Sequence, residues 1–131
     1  MLNDLLAEIE LQDRQEPLVG LELFFEGNDD LASIGPNLVD HPGVAYFYAT
    51  LRAVRDRPDV YGVWVAIDEV MPEGEWPFTN HVYVVTSAPP GEVDRWVQDL
   101  QADEPGDAGW FGEMPPVPVP DGARLVVLWW D

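Results

Sequence analysis

The sequence contains no cysteine and no lysine, and its only histidines are His41 and His81. Without cysteine there is no disulfide, no thiolate metal site and no thiol nucleophile, which fits a reducing compartment. Long hydrophobic runs are also missing. The longest, such as Val126–Trp130, fall far short of a bilayer span. The opening residues MLNDLLAEIELQD lack the positive start and the continuous apolar core of a signal peptide. The expected location is the cytoplasm.

Positive charge is scarce. Six arginines stand against 25 acidic residues, giving a net charge of −19. Such a field repels nucleic acid and anionic membranes, so neither is expected as a partner, and it attracts cations and basic proteins. The acidic residues are scattered from Asp4 to Asp131 without an acidic tail. A solubility or salt-adapted surface would look the same. The apolar share of 47% argues against disorder, and 131 residues suit a single domain with a true core.

Periodicity predicts the elements. Leu2, Leu5, Leu6 and Ile9 form a helical stripe within Leu2–Asp13. Leu18–Glu26 alternates, with Val19, Leu21, Leu23 and Phe25 on one side and Phe24 on the other, as in a half-buried strand. Asp40 is placed to cap a helix over Pro42–Arg57. Val60–Glu69 and His81–Ser87 read as strands, Gly91–Gln101 as a helix and Ala123–Trp130 as the last strand. The proline- and glycine-rich stretch at 102–122 cannot be a regular element.

The order is one helix followed by β-α-β-β-α-β. It resembles the α+β architecture usually called ferredoxin-like, a split βαβ with a four-stranded antiparallel sheet and two helices on one face. The likeness covers Leu18–Asp131, with residues 1–16 as a helical extension of the same single domain. That architecture hosts many unrelated functions and assigns none.

With that threading, the three longest connections, Gly27–His41, Val70–Asn80 and Ala102–Gly122, share one end of the sheet. Long loops on a rigid scaffold are where function tends to lie. The residues gathered there are Asn28, Asp29, Asp30, Asp40, His41, Glu73, Glu75, Trp76, His81, Trp110, Phe111 and Glu113. Asp29, Asp30, Asp40 and His41, with His81 nearby, are a candidate divalent-cation set. Their spacing matches neither the calcium-loop pattern nor H-E-x-x-H. Asn28 and Asp29 also suit an ordinary turn, and Asp40 a helix cap. A histidine beside a carboxylate suits general-base work, but no nucleophile elbow or triad pattern is present. The glycines of GNDDLASIG form neither a dinucleotide fingerprint nor a phosphate loop.

The aromatics raise a separate question. Phe24, Trp64, Tyr83 and one of Trp129 and Trp130 are expected on the sheet face opposite the helices. Four rings of roughly 150 Å² or more each should not face water, and covering them is worth on the order of 10 kcal/mol before ordering costs. The first helix, a second copy of the chain forming a homodimer, or a ligand would supply the cover. Trp76, Trp110 and Phe111 lie in loops, as partner contacts or as plugs over the core edge. Two function classes follow. One is a non-enzymatic acidic interaction protein that binds a basic partner, for example in toxin neutralisation, or associates with itself. The other is a small metal-dependent enzyme or cation binder built on the loop Asp/His residues.

Overall fold

A computed structural model describes residues 1–71, 75–103, 106–107 and 116–130. Helix α1 (Leu2–Gln12) leads into a two-residue strand β1 (Leu18–Val19), a short helix α2 (Leu21–Phe25) and a 3₁₀ turn at Leu31–Ser33. Helix α3 (Val44–Arg55), strands β2 (Val60–Ala66) and β3 (His81–Thr86), helix α4 (Pro90–Trp96) and a 3₁₀ turn at Gln98–Leu100 follow. Strand β4 (Gly106–Asp107) and strand β5 (Arg124–Trp129) complete the chain. The fold is α+β, as the sequence pattern implies.

The sheet has the order β1-β2-β3-β5-β4, and every neighbouring pair is antiparallel. This corrects the split βαβ expectation, in which the first strand enters by a parallel crossover. Here β1 lies at the sheet edge, antiparallel to the end of β2. The cause is local. The run LELFF supports two periods: Leu21, Leu23 and Phe25 alternate, while Leu21, Phe24 and Phe25 fall on one helical face. The helical set wins, and all three of its residues are buried. Phe24 therefore joins the helix-side core, edge-to-face with Phe25 at 4.9 Å between ring centres.

All four helices contribute to one core on one sheet face. Leu5, Leu21, Phe47, Leu51, Val93 and Leu100 pack there against Val65, Val82, Val84, Val126 and Leu128. Trp76 and Trp130 are part of this core, and the Trp130 indole donates to Leu100 O at 2.8 Å. Trp76 is thus a core plug rather than a surface contact.

The opposite face carries Trp64, Ala66, Tyr83, Val85, Leu125, Val127 and Trp129. Its cover is a segment of the same chain, with Val117, Val119 and Ala123 lying over it. The first helix packs on the other side, so the cover over the aromatic face comes from this later segment and not from α1. A proline-rich stretch suits this task, because it can lie extended on a sheet without a hydrogen-bonding ladder of its own.

The cap of α3 is Gly43, at φ 101°, and not Asp40. A positive φ there favours glycine.

Candidate functional site

A cluster of Glu16, Asp68, His81 and Tyr83 sits where the second face meets the β1 edge. Register explains it. Leu18 pairs with Ala66, and Ala66 pairs with His81. The Ile67 N–H donates to Pro17 O at 2.9 Å and carries the β1–β2 pairing one residue further. The same register sets Glu16 opposite Asp68, on the face that holds Ala66, His81 and Tyr83. Gln12 fixes the approach: its side-chain amide donates to Leu18 O at 2.7 Å and its oxygen accepts from Leu18 N at 3.0 Å.

The imidazole of His81 is 3% exposed, and its two nitrogens face different partners. Nδ1 lies 2.6 Å from Asn80 Oδ1 and 3.2 Å from Asp68 Oδ2. Nε2 lies 3.1 Å from Glu16 Oε2. The Tyr83 hydroxyl donates to the other Glu16 oxygen, Oε1, at 2.8 Å. The Asn80 N–H donates to Asp68 Oδ2 at 2.6 Å, which holds that carboxylate beside the ring. The Glu16 and Asp68 side chains stay 38% and 25% exposed, so the cluster opens to solvent on its carboxylate side.

Electrostatics follow from this geometry. Burial alone would lower the His81 pKa, but the Asp68 carboxylate, with Glu16 behind it, outweighs burial and raises it. Burial and the Glu16 carboxylate raise the Tyr83 phenol far above its usual range, so it remains a hydrogen-bond donor. Among the described residues, Glu16, Asp68 and His81 are the group of three or more metal-ligating side chains close enough to share an ion, with ligand atoms all within 4.8 Å of one another.

The loop residues expected to bind a cation are used differently. Asn28 spans Phe24 O, Ser33 Oγ and the Asp30 N–H. Asp30 caps the 3₁₀ turn by accepting from Ala32 N at 2.9 Å. Both nitrogens of His41 are spent on backbone: Nδ1 accepts from Gly43 N at 2.9 Å, so Nε2 donates to Ile34 O at 2.7 Å. Asp29 and Asp40 point to solvent. Among the described residues, Asp29, Asp30, Asp40 and His41 are not brought together as a group of metal-ligating side chains: Asp30 and His41 bond to nearby backbone, and Asp29 and Asp40 are exposed. Trp110 and Phe111, like Glu73 and Glu113, lie outside the described residues. The loops do meet at this end, through Thr79 N to Ser33 O, Trp130 N to Asn80 O and Gln101 Nε2 to Asp40 O.

His81 is the one expected site residue that the cluster contains. Glu16, Asp68, Asn80 and Tyr83 complete it, and sequence reasoning missed them as site residues. Alternation does place Asp68 and Tyr83 on the Trp64 side of the sheet. Glu16 gives no such signal until the β1 pairing is known.

Elsewhere, a groove of about 380 Å³ runs between α3 and the Trp96–Asp99 segment. Internal pairs hold both its ends: Tyr46 donates to Asp99, and the Arg57 guanidinium stacks over Trp96.

These features define a small α+β domain with a carboxylate–imidazole cluster at one corner of an antiparallel sheet. The chain belongs to the Uncharacterized protein YfbO family, whose profile matches residues 1–128. It is 32% identical over 128 residues to "Uncharacterized protein YfbO" of Escherichia coli (strain K12), covering 95% of this chain and 90% of that protein. No solved structure matches. Among the described residues, no helix is long and apolar enough to cross a membrane.

Proposed function

We propose that this protein binds a divalent cation through His81 Nε2 and Glu16, with Asp68 holding the other ring nitrogen. The observation that carries the reading is the convergence of an imidazole and two carboxylates, from three separate segments, with ligand atoms within 4.8 Å. The 3.1 Å between His81 Nε2 and Glu16 Oε2 suits a shared proton. It also lies near the separation of roughly 3.4 Å between two ligands of a tetrahedral ion with bonds of about 2.0–2.1 Å. Asp68 and Asn80 hold the Nδ1 side, which leaves Nε2 to face Glu16 and an incoming ion. The near-complete burial of the imidazole favours a binding role over direct acid–base work on a substrate.

The test is thermal melting of chelator-treated protein with zinc, manganese or calcium. One of these ions raises the midpoint, by about 2.7 kcal/mol of added stability at a hundred times its dissociation constant. Glu16→Gln, at a half-exposed position, removes most of the rise without disturbing the core. Identical melts with and without all three ions would end the reading.

A second reading draws on charge. With a net −19 and no lysine, the surface suits a basic protein partner. Capture of a basic protein at low salt, lost as salt is added, supports it; no enrichment at low salt overturns it.

A further inference from the structure

We infer that Tyr83 determines which cation the cluster takes, by restricting Glu16 to a single ligand oxygen. The inference rests on the cation-binding reading above. The Tyr83 hydroxyl donates to Glu16 Oε1 at 2.8 Å, while the other oxygen, Oε2, faces His81 Nε2 at 3.1 Å. The phenol has little freedom to turn away. Tyr83 is 1% exposed, sits between Trp64 and Val127 across the sheet, and meets the His81 ring edge-to-face at 5.2 Å. A carboxylate tied in this way has one oxygen to offer an ion.

Ion chemistry turns that restriction into selectivity. Calcium takes six to eight oxygen ligands and commonly uses carboxylates in bidentate fashion. Zinc is content with four ligands, accepts imidazole nitrogen and binds carboxylates through one oxygen. A single buried imidazole with Glu16 held to one oxygen, and Asp68 alongside, therefore fits a zinc-class ion and disfavours calcium. Tyr83 is a positioning residue in this scheme. It touches the carboxylate and not the ion, and its hydrogen bond also keeps Glu16 aimed at Nε2.

The experiment compares the wild type with Tyr83→Phe, both chelator-treated, by titrating each calorimetrically with zinc and with calcium. Loss of an outer-sphere hydrogen bond of this type costs about 10–100-fold in metal affinity. The expected result is a fall of that size for zinc with no fall for calcium, so that the ratio between the two ions drops. A purely structural role for the hydroxyl would weaken both ions together. Equal changes for the two ions, or unchanged zinc affinity, overturn the inference while leaving the cation site standing. Wild-type protein that binds neither ion overturns this inference, and the underlying reading falls with it when manganese also fails to bind. Cobalt(II) absorption supplies a second measurement that depends on geometry rather than on fold stability. Four-coordinate cobalt absorbs more strongly than six-coordinate cobalt, so the variant is expected to lose intensity per bound ion, and an unchanged spectrum overturns the inference. Glu16→Asp, which shortens the side chain so that it cannot reach the phenol and the ion together, reproduces the drop in ratio with Tyr83 intact; an unchanged ratio in that variant also overturns it.

Discussion

His81 has lost nearly all contact with water, yet its imidazole holds a proton more firmly than a free histidine. Burial pushes the other way, so the attraction of Asp68 first and Glu16 second must be the larger effect. The sign of the pH dependence follows. A group whose folded pKa is raised contributes its full stabilisation below the unfolded value of about 6.5, and loses it as pH rises through the folded value. Urea denaturation of the wild type and His81→Gln from about pH 6 to about pH 9 should show a stability gap that narrows as pH rises. A gap that widens over that range would falsify the assignment. Protons and cations compete for Nε2, so cation affinity should climb where the proton leaves.

At the scale of elements, strand β2 shows how one small residue shapes a face. Its pairing with β3 slips between Val60 and Gly62, leaving Tyr61 half exposed. A Cβ at Gly62 would run into the Trp64 ring. The indole therefore lies over the glycine, and any side chain there must push it aside. Gly62→Ala is expected to cost about 1–3 kcal/mol by overpacking. The cost should shrink in a Trp64→Leu background, because the two positions share one contact. A fully additive double mutant would show that the indole is not what the new methyl meets. Legibility in the sequence also divides by element. Helix α3 and strands β2, β3 and β5 are plain because their apolar period runs unbroken for six residues or more. Helix α2 was hidden because Leu21, Leu23, Phe24 and Phe25 satisfy two periods at once. That error propagated: a long first strand with a parallel crossover removes the antiparallel edge pairing that brings Glu16 to Asp68. His41 misled for another reason. Asp-His-Pro reads as a ligand group, but a histidine at a helix entry can spend both nitrogens on backbone, as this one does.

Over the whole molecule, acidic charge is the dominant long-range property. Arg55 pairs with Glu22 and Arg57 with Asp59, so part of the small basic complement is already engaged within the fold. A basic partner would therefore meet a field of one sign, and its capture should weaken continuously between about 0.05 and 0.5 M salt as the Debye length contracts from roughly 14 to 4 Å. The same field bears on the corner cluster, since any mobile cation is concentrated near the surface before it meets Glu16 and Asp68. Glu16 belongs to the tether of the leading helix, whereas Asp68 and His81 belong to the sheet, 65 residues separating Glu16 from His81 along the chain. An ion seated at this corner would act as a clasp between the leading segment of the polypeptide and its centre. With the ion gone, the leading helix keeps its apolar seat through Leu5 and the Gln12 clip, and Glu16 falls back on its direct contacts with His81 and Tyr83 to fasten the tether to the sheet corner.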